Sequence, residues 1–144
     1  MGIGNPHGYP DYTWPMVWVL QDGELWPIEQ WVAHIGVEKL WYVSSDVAAG
    51  SYTDTSLYTV PAGKRLYVVR LTAGGQGKGK HSLDALFGVG RFIDLWTGPY
   101  GSLNVNIAPP ITLGASQILR VRQTNYDTAS LYFTATIQSY EIDV

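Results

Sequence analysis

From residue 52 onward, apolar and polar residues alternate in short runs, cut roughly every dozen residues by glycine, proline or asparagine. In Leu103-Asn104-Val105-Asn106-Ile107 the two kinds take strict turns. A side-chain period of two belongs to a β-strand with one face packed and the other wet. Similar runs cover residues 56–60, 65–72, 117–124 and 130–142, with shorter ones at 83–89, 91–96 and 102–108. Between 60 and 63, Val-Pro-Ala-Gly places Pro second and Gly fourth, a turn signature, and Pro109-Pro110 is expected to end the strand before it. Seven or so strands with no interleaved helical pattern point to an antiparallel sandwich or barrel and exclude a parallel α/β sheet.

The first 51 residues read differently. Five of the six Trp (Trp14, Trp18, Trp26, Trp31, Trp41) and four of the eight Pro fall before residue 42. Residues 16–20 and 39–43 have strand character. Between them, Ile28, Trp31, Val32 and Ile35 recur at helical spacing after Pro27 and before Gly36, which predicts one short helix near 27–35. The chain is therefore divided into an N-terminal arm, 1–51, and a β-sandwich core, 52–144. Large rigid aromatics in a proline-broken segment suit interface anchors, because they bury much area for little side-chain entropy. Tyr9, Tyr12, Trp14, Trp18, Trp26 and Trp31 are the candidate partner-binding residues. The competing reading is that they cap an open end of the same chain's sandwich.

Motifs that carry chemistry are weak here. Residues 74–80 match the phosphate-loop pattern G-x-x-x-x-G-K, but His81 stands where Ser or Thr would hold magnesium. Residues 83–90 read as strand, not as the helix such a loop requires. The segment is expected to be a flexible, mildly basic loop. His7, His34 and His81 are far apart and no metal-ligand spacing accompanies them, while Glu141 and Asp143 lack a calcium-loop context. Without Cys there are no disulfides, and no nucleophile elbow occurs. Asp84 and Asp94 lie in strand-like runs and could face one another as a carboxylate pair for glycoside hydrolysis, but a charge on a strand's wet face is the ordinary case. The expectation is a non-enzyme with no cofactor and no metal. A net charge of −3 and the absence of a long apolar run argue against nucleic acid and membrane as partners. The charge is unevenly placed: residues 1–63 carry seven acids against Lys39, and residues 64–122 carry eight bases against Asp84 and Asp94. These blocks are either contact guides between subunits or separate solvated faces.

The runs Tyr58-Thr59-Val60-Pro61-Ala62-Gly63-Lys64-Arg65-Leu66-Tyr67-Val68-Val69, Ile111 to Val121 and Ile137 to Ile142 resemble segments of structural proteins of tailed bacteriophages, some from thermophilic hosts. That resemblance implies an all-β, jelly-roll-type antiparallel sandwich. It also implies the role of head decoration (cement) protein: a homotrimer on the outer surface of the virion capsid, with the major capsid protein as partner. The alternative is a carbohydrate-binding or receptor-binding jelly-roll module of a phage tail or fibre.

Overall fold

The computed structural model describes residues 18–21, 23–86 and 90–144. Ten strands and one helix occupy them: β1 (Trp18–Gln21), β2 (Glu24–Pro27), α1 (Ile28–Ile35), β3 (Val37–Val47), β4 (Tyr52–Thr59), β5 (Lys64–Gly75), β6 (Gly79–Leu86), β7 (Gly90–Thr97), β8 (Ser102–Leu113), β9 (Ile118–Asn125) and β10 (Leu131–Asp143).

Strands β3 to β10 form two four-stranded sheets, in the orders β3-β10-β5-β8 and β4-β9-β6-β7, with every pairing antiparallel. The pairs β3/β10, β4/β9, β5/β8 and β6/β7 nest like rungs of one long hairpin. That hairpin is rolled up so that β10 also meets β5 and β9 also meets β6. This is the strand order of a jelly roll, an arrangement that limits exposed sheet edges. The expected fold class is what the strand order shows.

The alternation that marked the strands also builds the core. Along β9, Leu119, Val121, Gln123 and Asn125 point inward, and Ile118, Arg120, Arg122 and Thr124 point outward. Leu66, Val68, Leu71, Leu83, Leu113 and Ile137 join Leu119 and Val121 between the sheets, each with no exposed surface. Burying one such side chain is worth about 1.5–3 kcal/mol. Toward one end the interior turns polar. Asn125 Nδ2 donates to the carbonyls of Val47 (2.9 Å) and Ala129 (2.7 Å), and its Oδ1 accepts from Asp127 N (2.8 Å), which ties the last loop to the sandwich.

Four sequence expectations change. The sandwich begins near residue 37, not 52: β3 pairs with β10 from Val37↔Glu141 to Val47↔Leu131 and is an edge strand of the first sheet. Its apolar run Leu40-Trp41-Tyr42-Val43 hid the period of two. Strand β8 passes through Pro109-Pro110 instead of ending there, because the prolines sit in a wide bulge where residues 107–110 face Val69 alone and need no ladder amide. The turn after β4 is Pro61 to Lys64 (Lys64 N to Pro61 O, 3.2 Å), and Gly63 takes its third position at φ +75°, the left-handed value glycine accepts. Finally, residues 74–80 are not a loop. Strands β5 and β6 run into this segment and leave only 76–78 as the connection. The ring of Phe133 lies against the strand ends so closely that a Cβ on Gly75 or Gly79 would stand 2.3 or 2.4 Å from it, which accounts for glycine at these two positions.

Helix α1 spans residues 28–35, as the spacing predicted. It lies on the outer face of the first sheet, where Val32 is fully buried against Tyr67 and Ile142, with Ile28, Trp31, Val69 and Tyr140 around them. The hairpin β1/β2 leads into it.

Candidate binding surfaces

The arm is fastened to the sandwich by its aromatic side chains. Trp31 meets the ring of Tyr67 edge-on (6.3 Å, 87°), and Trp26 stacks on His34 of α1 (4.7 Å, 15°). Trp18 is half-buried and engaged in the hairpin. Tyr9, Tyr12 and Trp14 lie outside the described residues. Two of the expected anchors, Trp26 and Trp31, thus make aromatic contacts within the chain. Beside them the arm and its following strand leave large apolar side chains in solvent: Leu20, Ile35, Val37, Leu40 and Tyr42, with Leu20 and Tyr42 each 69% exposed. Strand β3 is also an edge. Among the described residues only β10 pairs with it, so one side of an eleven-residue strand keeps its backbone groups open.

The outer face of the second sheet is ionic. Arg122 bridges Asp54 through two hydrogen bonds (2.7 and 2.9 Å), and Arg120 bridges Asp84 likewise (2.9 and 2.6 Å) while standing 3.4 Å from Asp54. The Arg122 hydrogen bond holds the Asp54 carboxyl below its usual range, and the guanidinium groups of Arg120 and Arg122 are correspondingly raised. Asp94 pairs with Arg91 at 3.6 Å and accepts from Ser82. Asp84 and Asp94 are therefore each paired with a different arginine, Asp84 across strands with Arg120 and Asp94 within β7 with Arg91, unlike a free acid–base couple. Asp54 of the acidic first block and Arg120 and Arg122 of the basic middle block meet here, across β4 and β9 of one sheet.

One end of this face carries an aromatic group that the arm-centred reading passed over. Trp96 is 59% exposed, stacks with Tyr126 (5.1 Å, 22°) and has Lys80 Nζ 5.2 Å from its ring centroid. The signal was present in the sequence: Leu95 and Thr97 point inward, which turns Trp96 outward.

The phosphate-loop lookalike ends in the core. His81 is fully buried between the sheets, edge-on to Phe133 (5.9 Å), with Nε2 3.2 Å from Thr97 Oγ1 and Nδ1 3.5 Å from Gln123 Nε2. Burial pushes its pKa down to about 4, so it is neutral at physiological pH. The C-terminal carboxylates are paired as well: Glu141 accepts from the Tyr58 hydroxyl and lies 3.9 Å from Lys39 Nζ, and Asp143 pairs with Lys64. Burial first, then the Glu141 hydrogen bond, pushes the Tyr58 phenol up to about 12. Among the described residues no group of three or more His, Asp, Glu or Cys side chains is placed to hold a metal ion, and no helix is long and apolar enough to cross a membrane.

No protein-family model matches the sequence, and no curated protein does. Solved structures share its general shape. They include the capsid of the Helicobacter pylori bacteriophage KHP30 (TM-score 0.49, 11% identity, covering 76% of this chain and 96% of that one). A C-terminal CBM6 of the laminarinase LamC from Zobellia galactanivorans aligns at TM-score 0.43 and 12% identity, over 71% of this chain and 99% of that one. A Bacillus endospore appendage pilus protein gives 0.44 and 12%, over 76% and 89%. The assignment of the fold rests on the strand order itself.

Proposed function

We propose that this chain is a bacteriophage head decoration protein, a non-enzymatic homotrimer that binds the major capsid protein on the outer surface of the virion and stabilises the head. The observation that carries the proposal is the arm with β3. The arm is clamped on the sheet by Val32 and Trp31, yet it and β3 present Leu20, Ile35, Val37, Leu40 and Tyr42 to solvent beside a strand edge that is open among the described residues. Exposed apolar side chains beside an unpaired edge mark a surface that another chain covers. A trimer multiplies modest contacts, because the second and third arms bind from a tethered position. The neutralised ionic face and the jelly-roll core serve as scaffold in this reading.

The test is sedimentation of the purified protein. A trimer is expected, and replacing Leu40 and Tyr42 together by Lys is expected to give monomers that still show the β-rich circular dichroism of the parent. Monomers of the parent at every concentration would remove the proposal. A second reading, a carbohydrate-binding module, is favoured by the Trp96–Tyr126–Lys80 group, since exposed indole and phenol faces accept sugar rings. It requires saturable glycan binding that Trp96→Ala abolishes.

A further inference from the structure

The outer face of the first sheet holds a cleft of about 410 Å³ over β10, β5 and β8. Two irregularities open it. Between Val68 and Arg70 the β5 register slips against both neighbours, so Val69 and Arg70 turn to the same face while Val68 and Leu71 stay in the core. Opposite them, the wide bulge of β8 sets back residues 107–110. A bulge re-aims side chains in this way wherever an extra residue enters a ladder. The floor is apolar at Val69, and Ala33 of α1 forms a wall.

Polar groups converge on this floor. Arg70 Nε donates to Asn106 Oδ1 at 3.0 Å, which orients the guanidinium, and among the described residues Arg70 has no carboxylate partner. Gln138 Nε2 donates to Glu38 Oε2 (3.1 Å) and lies 3.4 Å from the Tyr140 hydroxyl. The size falls within the range of about 300–1,000 Å³ common for small-molecule sites, and an apolar floor with a few fixed polar groups is their usual make-up. Beyond the cleft the same face carries uncharged hydroxyl and amide groups on neighbouring strands: Thr136 opposite Thr72, and Thr72 donating to Asn104 Oδ1 at 3.1 Å.

From this arrangement we propose that the cleft binds an acidic glycan, with a uronic or sialic carboxylate on Arg70, the ring on Val69, and further sugar hydroxyls on the Thr72/Asn104 strip. A nucleic acid needs a row of cations, and the cleft supplies one. A guanidinium matches a carboxylate in two-point geometry, and neutral hydroxyl and amide groups match successive sugar hydroxyls.

The experiment is calorimetric titration of the full chain with trigalacturonate, a glucuronate-ended and a sialate-ended oligosaccharide, and the carboxyl-reduced, neutral form of each. At least one acidic oligosaccharide is expected to bind saturably, and its neutral form to bind about tenfold to a hundredfold more weakly, as loss of a charge-assisted hydrogen bond gives. Arg70→Gln, a change at an exposed position, is expected to lose as much. Ala33→Trp, which fills the cleft without touching charge, is expected to block binding. No binding of any acidic oligosaccharide at about 10 mM, a concentration above that of weak specific sites, overturns the proposal. So does equal binding by the neutral forms or by Arg70→Gln. The oligomer measured by sedimentation is expected to be unchanged in Arg70→Gln, which separates this site from the decoration role.

Discussion

Lowering the pH from 7 to 4 puts one proton on His81 in the unfolded chain long before the folded chain accepts it. The imidazole is enclosed by Phe133, Thr97 and Gln123 with no exposed surface, and burial holds its pKa at about 4 against 6.5 in the open chain. Between these values the unfolded state binds more protons than the folded state, so stability rises with pH and is lost as the pH falls through the window. Each unit of difference is worth about 1.4 kcal/mol, and roughly two and a half units give a loss of about 3 kcal/mol by pH 4. That is a large part of the 5–15 kcal/mol that holds a typical domain together. Urea unfolding followed by tryptophan fluorescence at fixed protein concentration, from pH 7 to 4.5, reads the effect directly. The variant His81→Gln keeps a polar side chain and cannot titrate. It is expected to be less stable than the parent at pH 7 and to close most of that gap by pH 4.5. A parent whose stability stays constant to within about 0.5 kcal/mol over this range, or a variant that declines in parallel, would refute the reasoning.

The close approach of Phe133 to the ends of β5 and β6 predicts that Gly75→Ala and Gly79→Ala each destabilise by about 1–3 kcal/mol, as overpacking does. Gly98→Ala, with open space around it, is expected to be near neutral in the same urea titrations. Removing the Asp84 carboxylate (Asp84→Ala) leaves Arg120 with only Asp54 at 3.4 Å and is expected to cost about 2 kcal/mol, below the usual figure for a fully buried pair. Asp54→Ala, at a more open position, is expected to cost about 1 kcal/mol or less. Both are read as shifts of the urea midpoint at unchanged slope.

How much of this was legible in the sequence follows from which residues obey a single period. In β9 every second residue is core, so the strand could be read directly. Helix α1 was equally plain, because Ile28, Trp31 and Val32 all pack on the sheet. Strand β3 was set apart from the sandwich because Leu40 and Tyr42 face outward, and outward apolar residues look like breaks in alternation unless a partner surface is assumed. The glycine run at 74–79 suggests a flexible loop, and its reason lies in distant neighbours: Phe133 against Gly75 and Gly79, Asp127 and Leu131 against Gly77, and Gly101 and Ser102 against Gly74. The cleft was illegible for a related reason. Val69 and Arg70 are adjacent in sequence, and alternation assigns them to opposite faces; the bulge that puts them together is created by long-range pairing with β8 and β10. That Asp54 of the acidic block and Arg122 of the basic block are neighbours across β4 and β9 is likewise hidden by their distance in sequence.

Decoration of a phage head by a trimer acting through the arm and β3, as proposed above, is read directly by co-sedimentation with undecorated heads of a phage whose genome carries this chain. The protein, as a trimer of about 48 kDa built from 15.9 kDa chains, is expected to pellet with the capsids to a saturating stoichiometry. The Leu40→Lys, Tyr42→Lys protein is expected to stay in the supernatant. A parent protein that remains monomeric and unbound at capsid concentrations that fully pellet would contradict the proposal.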